Sequence, residues 1–384
     1  MKFVDEFRDP RAARTLVERI TSAATRKWVL MEVCGGQTHG LLRHGIPSAL
    51  EECVELIHGP GCPVCVTSAR AIDFAQRLAV QPDVVVTSFG DMLRVPGSAE
   101  SLLAVRSRGG NVRTVYSPVD AVQFAAKHPD RHVVFFAVGF ETTTPATALA
   151  VLQARQLGLQ NFSLLVSHVR VQPAMESIML ATDNRVQAFL AAGHVCVVTG
   201  FESYHEFARR FRVPVAVTGF EPLDLLTGIL ECVEQLESGR FEVANCYERA
   251  ASCSGNESAQ QIVRSVYEVA DRDWRGLGVV SSGGLQLRAD FADMDARCRF
   301  RELLNEADSS GDFDRTTSHE RCRAGEVLSG KLRPCDCQEF AISCTPDSPL
   351  GAPMVSSEGA CAAYFRYARV AEDVPASAAG EPAQ

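Results

Sequence analysis

From Lys27 to about residue 230 the chain repeats one device: a short, unbroken apolar run rich in β-branched residues, then a segment with helical spacing. The runs are KWVLMEV, CVELIHG, DVVVTSF, NVRTVYS, HVVFFAVGF, FSLLVSH, HVCVVTGF and VPVAVTGF. Strands that face solvent on one side alternate apolar and polar residues, whereas strands covered on both faces do not. Eight continuous runs separated by helical stretches such as SARAIDFAQRLAV and TTTPATALAVLQARQLG therefore predict an α/β protein with doubly wound parallel sheets.

Within this pattern the spacing predicts five units. They are an N-terminal helix over 1–26, an α/β domain over 27–128, a similar second domain over 129–240, a cysteine-rich region over 241–370 in which the strand pattern fades, and a tail over 371–384 of disordered composition. The break is set at AAKHPDRH, Ala125 to His132. A weak repeat accompanies it: GFE closes three of the expected strands, at Gly139–Glu141, Gly200–Glu202 and Gly219–Glu221, with FGD at Phe89–Asp91 as a relative. Glycine permits the sharp turn into a helix, and a carboxylate suits a helix N-terminus, so helix capping is the bland reading of these three glutamates.

A formal net charge of −9 argues against a reader of nucleic-acid backbones, which needs a basic face. The apolar runs are much shorter than the ~20 residues of a membrane-spanning helix. The N-terminus has no apolar core of signal-peptide length, and a cytoplasmic location is expected. In a reducing compartment the fourteen cysteines are core thiols, metal ligands or redox groups before they are a disulfide framework.

Three of them stand in glycine-rich loops directly after expected strands. Cys34 opens CGGQTHG, and Cys62 and Cys65 form GPGCPVC. Ligands of parallel sheets bind beyond the carboxyl ends of the strands. These thiols and Asp91, after DVVVTSF, are accordingly expected at one edge of one sheet. The glycines beside Cys34 let a partner molecule approach the backbone, with His39 as a donor, proton carrier or outer partner. A C-x-x-C at a helix start is either a dithiol couple or half of a metal site. Each feature also has an inert reading: lone cysteines commonly pack in cores, and lone histidines are commonly structural.

Near the C-terminus, Cys322, Cys337, Cys344 and Cys361 are separated by 14, 6 and 16 residues. Four thiolates suit a tetrahedral zinc or an iron-sulfur cluster, and the lack of paired C-x-x-C knuckles favours the cluster. On spacing alone Cys335 competes with Cys337.

Taken together, CGGQTH, GPGCPVC, FGDMLRVPGS, GFETTTP and CTPDSPLGAPMVSSEGACAAYFRY resemble, in this order and over nearly the whole chain, the HypD family of hydrogenase formation proteins. The resemblance implies two similar α/β domains and a C-terminal domain with a [4Fe-4S] cluster on Cys322, Cys337, Cys344 and Cys361. It also implies a scaffold, formed with the small chaperone HypC, on which an iron ion receives two cyanides and one carbon monoxide. HypE is then the cyanide donor, carrying a thiocyanate. By position Cys34 corresponds to the iron-binding cysteine, Cys62 and Cys65 to a redox-active pair, and His39, Asp91 and Glu358 to further site residues. Where many members have CRC and ACMVSSEG, this chain has Ala324 and Pro353. Both lie outside the four-cysteine set, so the departures bear only on an accessory thiol role. Two other functions fit the residues: a zinc-stabilised adaptor without redox chemistry, and a free-standing thiol-disulfide oxidoreductase.

Overall fold

A computed structural model describes residues 5–304 and 321–372, and side chains as far as residue 367. Of the disordered tail expected over 371–384, residues 371 and 372 end the helix Ala360–Glu372, and the rest of it lies outside the described residues, as do residues 1–4 of the N-terminal unit and 305–320 of the cysteine-rich region. The fold is α/β with two parallel sheets. In chain order the strands are β1 (Trp28–Glu32), β2 (Val54–His58), β3 (Val84–Ser88), β4 (Val112–Thr114), β5 (His132–Gly139), β6 (Phe162–His168), β7 (Ala188–Ala192), β8 (Val215–Thr218), β9 (Val243–Asn245), β10 (Tyr267–Trp274) and β11 (Gly278–Leu287). One sheet has the order β2-β1-β7-β8-β9 and the other β4-β3-β5-β6, every pair in both being parallel. All seven residues of β6 and all five of β7 are buried, as unbroken apolar runs require.

The sheets do not divide the chain at residues 128 and 129. That expected boundary falls inside the second sheet, where β3 pairs with β5 from Val84↔His132 to Thr87↔Phe135. The chain builds β1 and β2, leaves to complete the second sheet, and returns with β7, which pairs with β1 at Leu30↔Ala188. Apolar runs of this kind report burial and carry no record of which run is the neighbour, so sequence order was an unreliable guide to sheet membership.

Two local expectations are also corrected. HVCVVTGF is a helix, Gly193–Thr199, and the strand is the preceding Ala188–Ala192. The β-branched content of the run suggested a strand, but tertiary packing overrides propensity. The second GFE therefore follows a helix, with Gly200 at φ 74° ending it. Nor do strands fade after residue 241, because β10 and β11 form an antiparallel hairpin. Only some of its residues are buried, and the charged residues of β10 with the glycines and serines of β11 concealed it. The hairpin turn docks on the C-x-x-C segment: Arg275 N–H donates to Val66 O at 2.8 Å, and its guanidinium to Thr67 O at 3.0 Å and Pro96 O at 2.7 Å.

The N-terminal helix Pro10–Ala23, capped by Asp9, packs on the long helix Pro222–Ser238 of the first sheet. Of the three GFE glutamates, Glu221 caps that long helix in a box with Asp224, and Glu202 opens the helix Glu202–Phe211. Glu141 instead takes the N–H of Val171, the first residue of the neighbouring helix Val171–Met179, at 3.0 Å. Among the described residues no helix is long and apolar enough to cross a membrane.

Candidate functional site

The Cys34 loop is organised by a buried carboxylate. β1 ends at Glu32, which is 1% exposed, and two residues later Cys34 caps the helix Gly35–Arg43. The Cys34 N–H donates to Glu32 Oε2 at 2.8 Å, and the Thr38 hydroxyl donates to Oε1. His58, the last residue of β2, places Nδ1 2.6 Å from Oε1, and its Nε2 lies 3.0 Å from the hydroxyl of Tyr364. A carboxylate removed from water needs such partners. Cys34 is itself 7% exposed, and burial, followed by the charge of Glu32, pushes its thiol up to about 12.

The second thiol loop lies directly against the first. Gly59 N–H donates to Glu32 O at 2.8 Å, and Gly35 N–H to Gly61 O at 3.1 Å. A Cβ on Gly61 would stand 2.3 Å from Cys34 N and 2.4 Å from Cys34 Cα, so no larger residue fits there. Cys62 then caps the short helix Pro63–Val66, its sulfur accepting the Cys65 N–H at 3.1 Å. Cys62 and Cys65 are buried and joined by a disulfide.

Asp91 arrives from the other sheet. It follows β3 rather than a strand of the β1–β2 sheet, which corrects the expectation of one shared edge. It is tied to the C-terminal lobe, with the Ser357 hydroxyl donating to Asp91 Oδ2 at 2.8 Å. The next residue, Glu358, seats its backbone on Gly35, where a Cβ would come within 2.2 Å of Glu358 O. Burial, then the Asp91 charge, raises the Glu358 carboxyl. His39 is half-buried with Nε2 unpartnered, its ring edge-on to Tyr367 at 5.5 Å, and burial lowers its pKa. The structure thus brings Cys34, the Cys62–Cys65 pair and Glu358 around the start of one helix, which His39 also occupies, with Asp91 joined through Ser357.

Sequence reasoning missed His194, whose Nδ1 and Nε2 lie 3.9 and 4.0 Å from Cys34 Sγ. Reading HVCVVTGF as a strand put this histidine at the amino end of a strand, away from the site; as the second residue of a helix it stands beyond the carboxyl end of β7. It also missed Glu32, His58 and Tyr364. The first two are ionisable groups at the carboxyl ends of mainly apolar strand runs, a signal that was available.

Cys322, Cys337, Cys344 and Cys361 line one small cavity of about 20 Å³ with Val327, Phe340 and Met354, whereas Cys335 is exposed and outside it. Gly351 makes room, since a Cβ there would meet Cys322 Sγ at 2.2 Å, and Leu350 N–H points at Cys344 Sγ at 3.4 Å. Burial raises the thiols of Cys322, Cys344 and Cys361, and the neighbouring thiols add to it in each case. Four thiols gathered around one cavity can all be thiolates only around a cationic centre, so the donor set fits a four-thiolate metal group. Among the described residues no three His, Cys, Asp or Glu side chains are grouped to hold a single ion.

Residues 11–368 match the HypD family, described as the hydrogenase formation hypA family. The chain is 45% identical over 387 residues to the hydrogenase maturation factor HypD of Azotobacter vinelandii, covering 98% of this chain and all of that protein. It is 43% identical over 375 residues to the HypD of Escherichia coli K12, covering 96% and 98%. It is 45% identical over 380 residues to the hydrogenase expression/formation protein HupD of Azotobacter chroococcum mcd 1, covering 96% and 97%. With the adjoining thiol loops and the four-cysteine pocket beside these full-length matches, the chain belongs to the HypD family of hydrogenase maturation factors.

Proposed function

We propose that this protein is the scaffold on which the iron of a nickel-iron hydrogenase acquires two cyanides and one carbon monoxide, acting with HypC and receiving cyanide from HypE. The observation that carries the reading is the packing of Gly61 on Cys34, which makes two thiol loops from separate strands a single site.

Cys34 is the anchor for the substrate iron, shared with a thiolate of HypC. Cyanide and carbon monoxide bind electron-rich, low-spin ferrous iron, and a thiolate donor supplies that electron density. Because burial and Glu32 hold the Cys34 thiol protonated, iron binding displaces that proton. His194, next to the sulfur, is positioned to accept it. Detaching cyanide from a thiocyanate takes two electrons and two protons, giving a thiol and hydrogen cyanide. Cys62 and Cys65 as a dithiol release both pairs when they close to a disulfide. Cys322, Cys337, Cys344 and Cys361 would hold a [4Fe-4S] cluster, which supplies reducing equivalents one at a time. Asp91 and Glu358 border the helix start, and Glu358, with its raised carboxyl, is suited to hold a proton there.

The test is anaerobic copurification with HypC followed by infrared spectroscopy. Cyanide and carbonyl stretches are expected with the natural sequence and absent with Cys34→Ala. Full iron occupancy in Cys34→Ala would remove the anchor assignment, and a colourless, zinc-loaded protein would make the adaptor reading the right one.

A further inference from the structure

Away from the cysteines, the carboxyl ends of β5 and β6 face the β10–β11 hairpin across a cleft of about 580 Å³. Among the described residues, seven buried side-chain nitrogen and oxygen atoms lack a partner. Two of them, Gln37 Oε1 and His39 Nε2, belong to the thiol site. The other five are Glu141 Oε2 and Tyr267 Oη, on residues that line the cleft, and His168 Nδ1 and Nε2 and Arg272 Nε, on residues that do not. Glu141 and Tyr267 line it directly. The His168 ring stands edge-on to Tyr267 at 5.8 Å, and the space of Gly284 brings the Arg272 side chain beside His168 O. Tyr267, His168 and Arg272 are 2%, 1% and 9% exposed, so bulk water does not satisfy them. Buried polar atoms without partners are rare enough that a cluster of them calls for an occupant.

The chemistry of that occupant follows from the balance of donors. Tyr267 offers an O–H to the cleft, whereas His168 and Arg272 stand outside its lining and Arg272 donates to Leu285 O. The guanidinium groups of Arg170, Arg264 and Arg288 also line the cleft. Arg170 spends one N–H on Ser282 O and Arg264 one on Gln260 Oε1, leaving the remainder of each fork available. Two carboxylates line the same cleft. Glu268 is engaged by the Gln286 amide at 2.7 Å, and Glu141 by the Val171 N–H. Burial raises the Glu141 carboxyl, which favours its protonated form, itself a donor. The site lies where parallel sheets hold ligands, and arginine forks are matched to oxyanions.

We propose that this cleft binds a small oxyanion, held by Tyr267 at its floor and by Arg264 and Arg288 at its rim. The proposal is independent of the iron chemistry and needs neither HypC nor a loaded metal.

The test uses the full chain and reads thermal unfolding against sodium phosphate and, separately, sodium malonate, with sodium chloride balancing ionic strength. One of the two anions is expected to raise the melting temperature saturably, phosphate marking a phosphoryl ligand and malonate a carboxylate. Arg264→Gln with Arg288→Gln, both at exposed positions, should weaken the apparent Kd by about tenfold or more, and Tyr267→Phe should weaken it in the same direction. No shift beyond chloride with either anion, or an equal shift in the arginine variant, would mean that ordered water alone fills the cleft and would overturn the proposal.

Discussion

Glu32 and His58, the last residues of two adjacent strands, meet through a 2.6 Å contact between Oε1 and Nδ1, and through this pair the C-terminal helix reaches the Cys34 loop. Tyr364, three residues after Cys361, closes the chain of contacts at His58, and the other oxygen of Glu32 holds the Cys34 N–H. His58→Leu leaves a buried carboxylate short of a partner. It should cost about 2–3 kcal/mol, read as a lower urea midpoint at unchanged slope. An unchanged midpoint would mean that the contact contributes nothing.

Gly61→Ala forces its new Cβ into the Cys34 backbone. Overpacking of this kind costs about 1–3 kcal/mol, so the fold should survive while the Cys34 loop moves. Iron copurified with HypC is expected to fall severalfold, measured by metal analysis beside a thermal melt. Retention of full iron content would show that the loops need not be in register.

The protonation of Cys34 gives a pH signature. Its thiol pKa is raised from the ordinary value near 9 to about 12, by burial first and then by Glu32. A raised pKa stabilises the fold fully below the unfolded value and loses that contribution as pH climbs from about 9 toward 12. Alkylation of Cys34 in the metal-free protein should therefore rise about tenfold per pH unit between pH 7 and 10, without a plateau. Glu32→Gln should speed it at every pH. Peptide mapping after iodoacetamide reads both, and a plateau near pH 8 would refute the buried-thiol assignment.

On the acid side, His132 is pushed down to about 4, by burial first and then by Arg299, while its Nε2 contacts Ser163 Oγ at 2.8 Å. A depressed histidine contributes stability that is present above the unfolded pKa near 6.5 and lost as pH falls through about 4. His132→Gln should remove about 3 kcal/mol of acid sensitivity over that window. Urea midpoints at pH 7, 5 and 4 for both proteins provide the measurement, and parallel pH dependence would count against the assignment.

The two neighbouring cysteines separate cleanly. Cys335 is exposed and outside the four-thiol cavity, and Cys337 lines it. Cys335→Ser is expected to keep the brown colour and the iron and sulfide content of anaerobically purified protein, and Cys337→Ser to lose most of both. The reverse result would reassign the ligand set.

Much of this protein could be read from its residues alone. Unbroken apolar runs reported strands covered on both faces, and seven of the eight expected strands are present close to their expected ends. The loops of Cys34 and Cys62–Cys65 do follow strands, and the four thiols implied by the family resemblance, which took Cys337 where spacing left Cys335 open, share a cavity. Sheet membership, the helix at Gly193–Thr199, His194 beside Cys34, the Tyr364–His58–Glu32 contacts and the route by which Asp91 joins the site were decided only by the tertiary structure. The physical reason is that local periodicity encodes how far a residue is removed from water. Which distant strand or side chain meets it there depends on long-range packing that no short window of sequence contains.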